Sequence, residues 1–309
     1  MAKPKRLLVV SYSQSGQLID ILAALLRPLA EGVSIRHETL RPQPAFPFPW
    51  PFFSFLDAFP ESVRLDPRPN QPLQVTGEED FDLVILAWTV WYLSPAQPIT
   101  AFLQSETGKR LLDGRPVVSL VACRNMWLSA FDTLKTLIDD AGGRLVDHVA
   151  LTDEAPALAT FITTPRWMFT GRRDRFLGLP PAGIQAAQAA DAARFGTRLA
   201  AALANDEEKS GRAMLTGLGA VKVVPHLILS ERAGRRAFRV WSGLIHRCGR
   251  AGQKRRLPAL LLFTLYLVIL ILTVVPLSLV LQRIAAPLLR SRVAQLVRHY
   301  EQPSGAAHE

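Results

Sequence analysis

Cysteine is almost absent from the 309 residues: Cys123 and Cys248 are the whole supply. Two are too few for a disulfide framework, and without a CxxC or HExxH pattern no metal site is expected. The GxxxxGK[ST] nucleotide loop and the GxGxxG dinucleotide fingerprint are also missing. Acidic residues run out along the chain. Residues 1–209 hold 21 basic and 23 acidic side chains, whereas residues 210–309 hold 15 and 3. The net charge of +10 therefore belongs to the last third. The slightly acidic remainder argues against nucleic acid as a partner. The first apolar run, residues 7–10, is too short for a signal-peptide core, so a cytoplasmic large domain is expected.

One feature is present in excess. Residues 257–281 carry no charge over 25 positions. As a helix at ~1.5 Å per residue they reach roughly 37 Å, enough for a hydrocarbon core of about 30 Å. A transmembrane helix is expected, with Pro276 either kinking it or marking a re-entrant turn. Arg235, Arg236, Arg239, Arg247, Arg250, Lys254, Arg255 and Arg256 crowd its near flank, and Arg283, Arg290, Arg292 and Arg298 its far flank. The near-side excess favours a cytoplasmic orientation and a membrane-associated protein. Residues 282–309 pattern as a basic amphipathic tail suited to a lipid surface. Within the basic juxtamembrane segment 206–256, residues 211–250 are either a second lipid-lying stretch or a solvated linker.

Within residues 1–205, apolar strand patterns at 6–11, 33–40, 81–88, 115–122 and 144–151 alternate with helical patterns at 17–30, 99–112, 128–141 and 184–204. The expected fold is α/β: a doubly wound, five-stranded parallel sheet of order 2-1-3-4-5, with ligands beyond the carboxyl ends of the strands. Residues 42–60 (PQPAFPFPWPFFSFLDAFP) break the rhythm, setting Phe46, Phe48, Trp50, Phe52, Phe53, Phe55 and Phe59 among prolines. The prolines exclude regular helix and central strand. This insert is either a rigid cap on the core, or a wall for an apolar small molecule or a contact with lipid or a partner.

Three loops follow strands. Ser13, Gln14, Ser15, Gly16 and Gln17 open directly into a helix, where successive N–H groups and serine hydroxyls grip a phosphate. Thr89, Val90, Trp91 and Tyr92, with Pro95 and Pro98 beyond, set two adjacent aromatics where they cover a flat ring. The third loop holds Cys123, Arg124, Asn125, Met126 and Trp127. Arg124 is a stabiliser of an anion or a surface ion-pair partner, and Asn125 a ring-edge hydrogen bonder or a helix cap. Cys123 reads as a small buried residue. Residues 161–174, with Arg166, Trp167, Arg172 and Arg173, suit a carboxylate, a nicotinamide-cofactor phosphate, the membrane surface or plain solvent.

The first two loops together resemble the flavodoxin-like family of FMN-binding proteins. That family commonly reads Y-S-x-T-G-N-T in its first loop and P-x-W-W-G-T-x-P-x-P in its second, ahead of an F-L-bearing helix. The resemblance implies that Ser13, Gln14, Ser15, Gly16 and Gln17 hold the FMN phosphate. It places Thr89, Val90, Trp91 and Tyr92 along the isoalloxazine ring, with the remaining contacts from Cys123, Asn125 and Trp127. Leu18 stands where the family often has a further hydroxyl, and Thr89 where it has proline. Over roughly residues 5–203 the chain also resembles bacterial proteins called dialkylresorcinol condensing enzymes. The shared motifs are SYSQSGQL, FPWPFF…FPES, VWYLSPAQPI, CRNMWL and ITTPRWMFTG.

No thiolase-type Cys with His partners is present, so flavin chemistry fits better than condensation. The implied protein is a membrane-anchored FMN-dependent oxidoreductase of the aromatase or NAD(P)H dehydrogenase type. It would act on a lipid-like cyclic ketone, resorcinol precursor or quinone, with Arg124 and Asn125 as catalytic residues. NAD(P)H is the implied electron donor; membrane lipid, an apolar small molecule and a ketosynthase or redox protein are the implied partners. The alternative is a membrane-tethered flavodoxin-type electron carrier without its own substrate.

Overall fold

The computed structural model describes residues 4–274 and 290–305. Of the expected span, residues 275–281 with Pro276 lie outside the described residues, as do 282–289 and 306–309 of the expected tail.

β1 (Lys5–Ser11) leads through the first loop into α1 (Gln17–Leu26) and then β2 (Val33–Thr39). The insert folds into α2 (Phe52–Asp57) and α3 (Phe59–Arg64). β3 (Leu83–Trp88) is followed by a small antiparallel hairpin, β4 (Val90–Trp91) and β5 (Ser94–Pro95). Then come α4 (Gln97–Gln104), α5 (Glu106–Leu112), β6 (Pro116–Cys123), α6 (Leu128–Asp140) and β7 (Arg144–Thr152). The rest is helical: α7 (Ala157–Thr170), α8 (Ala186–Asp191), α9 (Ala193–Ala204), α10 (Ile228–Cys248) and α11 (Leu257–Ile269).

The five main strands are parallel, in the order β2-β1-β3-β6-β7. The expected 2-1-3-4-5 is renumbered because β4 and β5 form their own two-stranded sheet between the third and fourth sheet strands. Every residue of β3 is buried, the condition under which a strand reads as an unbroken apolar run. From β1 the order runs one way to β2 and the other way to β6 and β7, so right-handed crossovers put α1 on one face and α4 to α6 on the other. α8 and α9 join α1. Gly196 permits this, since a Cβ there would stand 1.8 Å from the Leu25 carbonyl oxygen.

Several expected boundaries move. The helix expected at 99–112 breaks at Ser105, an extended residue whose hydroxyl accepts from the Gly108 N–H and starts α5. The insert was expected to hold no regular helix, yet Pro51 and Pro60 sit at or before the first turns of α2 and α3, where proline needs no N–H.

The larger correction concerns the end of the chain. Residues 211–250 are not a solvated linker. Met214, Leu215, Ala220, Val221, Val223 and Ile228 belong to the sheet's own core. The Met214 and Leu215 N–H groups donate to buried Asp147 at 2.8 and 3.0 Å, and Ala150 N–H donates to the Ala220 carbonyl. This strip covers the edge of β7, which would otherwise present unpaired backbone groups. The described part of the expected lipid-lying tail is docked in the same way. Val293, Leu296 and Val297 of the helix at residues 290–301 pack on the core, and buried Ser304 bonds both Asp147 and the His148 N–H.

The same edge holds a buried imidazole. Trp88 Nε1 donates to Ser119 Oγ at 2.8 Å, that oxygen lies 3.1 Å from His148 Nδ1, and the His148 ring stacks on Phe131. Burial pushes His148 down to about 3 from its ordinary 6.5. A depressed folded value gives stability that is present above pH ~6.5 and lost on acidification, by about 1.4 kcal/mol per pH unit. Glu231 runs the other way: burial raises it to about 7, so its contribution fades as pH rises from 4.5 toward 7. Comparing His148→Asn with the parent cancels the Glu231 part. The parent's advantage should shrink by about 2–3 kcal/mol between pH 6.5 and 4.5 in denaturant unfolding. Parallel pH profiles would show that His148 is not held neutral.

Candidate active site

Three loops meet at the carboxyl ends of β1, β3 and β6. In the first, Gly16 takes the left-handed conformation (φ 86°) as α1 begins, and a Cβ there would meet nothing within 4 Å. No side chain caps α1; the Ile19 N–H donates to the Gly16 carbonyl at 2.9 Å, which leaves the Gln17 and Leu18 N–H groups as the uncapped donors of its first turn. The half-buried Ser13 and Ser15 hydroxyls have no hydrogen-bond partner among the described residues. Gln14 and Gln17 are committed elsewhere. Gln14 accepts from the Tyr12 hydroxyl and donates to the Pro47 carbonyl at 2.7 Å, which ties the loop to the insert. Gln17 bonds both backbone groups of Ile184, at 2.8 and 3.1 Å. An anion at this loop would therefore be met by two serines and backbone amides. That donor set fits a phosphate monoester.

The second loop is the β4–β5 hairpin. Its turn residues Tyr92 and Leu93 both have positive φ, 50° and 60°, the mirror-image turn that suits two-residue hairpins. Neither is glycine, so the conformation is strained and needs outside support. Support comes from three places. The Tyr92 hydroxyl donates to the Phe55 carbonyl, Ala96 N–H donates to the Thr89 carbonyl, and Arg235 of α10 donates to the Leu93 carbonyl at 2.8 Å. The same guanidinium holds the Ser129 carbonyl and Thr133 Oγ1 on α6. Thr89 Oγ1 donates to the Ala122 carbonyl at 2.9 Å, joining the second loop to the third. Trp91 stands beside the first loop, edge-on to Tyr12 (5.8 Å), Phe46 (4.8 Å) and Trp50 (5.3 Å). Tyr92 packs into the insert instead, against Phe55 and Phe59. Val90 is half-buried on the core.

In the third loop, Arg124 donates from Nε to Thr160 Oγ1 at 2.8 Å and lies over the Phe161 ring, and its burial lowers the guanidinium's pKa. Asn125 Oδ1 accepts from the Met126 N–H. Its Nδ2 has no partner among the described residues. Burial, with Glu231 second, pushes the Cys123 thiol up, so Cys123 is a packing residue rather than a nucleophile. Trp127 was expected to contact a ligand. It is instead 1% exposed and wedged between Phe131 and His148, because the loop turns its indole down into the core.

Two of the three arginines of residues 161–174, Arg166 and Arg173, are also engaged. Arg166 forms a two-pronged pair with Asp174 at 3.0 and 3.1 Å, and Arg173 lies over Trp167 while donating to the Ile184 carbonyl. Sequence reading missed Tyr12, Arg68 and Arg235. Arg68 lies 4.3 Å over the Phe46 ring. No spacing rule reaches it, since Arg68 and Phe46 meet only through the insert's fold.

No family model and no curated protein matches the chain, so the narrower resemblance to dialkylresorcinol condensing enzymes gains no support there. Among solved structures, a Lactobacillus acidophilus flavoprotein in complex with FMN is 17% identical with TM-score 0.39, covering 48% of this chain and 93% of its own. A flavodoxin from the domain Archaea is 9% identical with TM-score 0.34, covering 64% and 99%. Flavodoxin 1 from Bacillus cereus is 16% identical with TM-score 0.30, covering 48% and 87%. At such scores these likenesses bear on neither the site residues nor the activity.

Proposed function

We propose that this chain is a membrane-anchored FMN-dependent oxidoreductase acting on a lipid-like cyclic ketone, resorcinol precursor or quinone, in dialkylresorcinol or related aryl-lipid biosynthesis. One observation carries the reading: an unbroken run of ring contacts joins the apolar C-terminal helix to the phosphate-type loop. Phe263 of α11 stacks on Phe59 at 4.0 Å. From there contacts pass through Tyr92, Phe55, Trp50 and Trp91 to Tyr12. The electron-carrier alternative calls for an acidic rim. Here Arg68 and Arg124 lie over the Phe46 and Phe161 rings, and the nearby carboxylates Asp57, Glu61 and Asp153 are set against these arginines rather than forming such a rim, with Asp20 the acidic residue of the first turn of α1.

Ser13, Ser15, Gly16 and the start of α1 would hold the FMN phosphate, and Trp91 would border the ring. FMN bound there would supply two-electron redox chemistry, with NAD(P)H as donor. Asn125 Nδ2 is the donor available for a ring edge, and Arg124 contributes positive charge close by. The apolar insert excludes water and orients an alkylated substrate. A ketosynthase or redox protein is the proposed partner.

Purified in mild detergent, the protein should be yellow or turn yellow with added FMN. It should bleach with NADH or NADPH anaerobically and recover with a cyclic diketone or quinone. A protein that stays colourless overturns the reading. Trp91→Ala should shift the bound-flavin spectrum and weaken retention about tenfold or more, the scale of one aromatic contact. Tyr92→Phe should leave flavin binding unchanged while losing about 1 kcal/mol of stability with its hydrogen bond. Equal flavin loss in both variants would reverse the roles given to these neighbours.

A further inference from the structure

We propose that the apolar segment enters and leaves the bilayer through one leaflet, so that residues 290–305 lie on the same side of the membrane as the α/β domain. This rests on the membrane anchor of the reading above and goes beyond it.

The two flanks of the segment are tied to one folded unit. On the near side, Arg256 is 0% exposed, with Nη1 and Nη2 on the Glu61 carboxylate at 2.7 and 2.9 Å, and the Gly252 N–H donates to Asp57 Oδ2. On the far side, the Tyr300 hydroxyl donates to Asp132 Oδ2 on α6 at 2.8 Å, and Ser304 is buried between Asp147 and the His148 backbone. A single crossing would place Tyr300 and Ser304 across the bilayer from Asp132 and Asp147.

Between those ties the chain is built for hydrocarbon. Lys254–Thr273 has mean hydropathy 2.2 and is only 17% buried. Leu261, Leu262, Leu265, Val268, Ile269 and Leu272 are exposed. Bilayer lipid is the occupant this surface fits.

Charge points the same way independently. Exposed Arg247, Arg250, Lys254 and Arg255 precede the segment, and exposed Arg290, Arg292 and Arg298 follow it. One span would carry a basic flank across the membrane against the positive-inside rule. A same-side path leaves both flanks on the cytoplasmic, anionic leaflet.

The test uses the full chain and two thiol reporters: native Cys248, exposed just before the segment, and a cysteine appended after Glu309 in a Cys248→Ser background. Half-buried Cys123 is replaced by serine in both backgrounds, so that only the reporter thiol can label. A membrane-impermeant maleimide is applied to intact spheroplasts and to sealed inverted vesicles. Both reporters should label in inverted vesicles and neither in spheroplasts. Labelling from opposite sides overturns the same-leaflet path and leaves the anchor intact. Protein that fails to sediment with membranes overturns the anchor, and the path with it.

Discussion

Arg256→Met is expected to lower the unfolding free energy by about 3–5 kcal/mol, the usual result of removing one member of a buried ion pair. Arg256 sits at the root of α11 with no exposure, and its guanidinium fits the Glu61 carboxylate at two points while also reaching the Asp57 carbonyl. Glu61 is itself buried. Without the cation, an ionised carboxylate is left in a low-dielectric contact between the insert and the apolar helix. At about 2–4 °C per kcal/mol for a chain of this size, the melting temperature should fall by about 10 °C. Glu61→Gln should fall nearly as far. The double variant Arg256→Met with Glu61→Leu should recover part of the loss, because the buried Glu61 charge is gone while the Asp57 carboxylate, 2.8 Å from Arg256 Nε in the parent, keeps its own and is more exposed. A drop of under 1 kcal/mol in the single variants would mean that water reaches the pair. The effect should extend to the candidate site, since α3 carries Phe59 against Tyr92 of the strained hairpin.

How much of this was legible in the sequence follows from the range of the forces involved. The sheet strands announced themselves because a strand covered on both faces must be apolar at nearly every position, as Leu83–Trp88 is. The phosphate-type loop was legible because a short polar run with one glycine between strand and helix is a local pattern. Residues 211–250 were misjudged for the opposite reason. Their arginines look like surface charge, but Arg235 donates inward to Leu93, Ser129 and Thr133, and Met214 and Leu215 find Asp147, about 67 residues back along the chain. Nothing within the segment encodes those partners. Trp127 failed similarly. Its place after a strand suggested the crevice, and only the packing of Phe131 and His148 sends it into the core.

Removing the hydroxyls of Ser13 and Ser15 should separate phosphate from ring recognition. A hydrogen bond to a charged group is worth about 1.5–3 kcal/mol, so each alanine variant should weaken FMN binding by about 10- to 150-fold, and the pair by more than either alone. Leu18 is buried in the core and offers no replacement donor. Gly16→Val acts by another route: a β-branched residue at φ 86° costs about 1–3 kcal/mol of backbone strain, which pulls the N–H groups of the loop out of register. Riboflavin, which lacks the phosphate, is the discriminating ligand. Its affinity should be unchanged in the serine variants, because Trp91 and the neighbouring rings are untouched. FMN should fall toward riboflavin's value, read by fluorescence quenching on titration. If riboflavin and FMN weaken in step, the serines support the ring or the loop's fold and the phosphate must lie elsewhere. If neither weakens, this loop is not a phosphate site, and the open left-handed turn at Gly16 serves only to start α1.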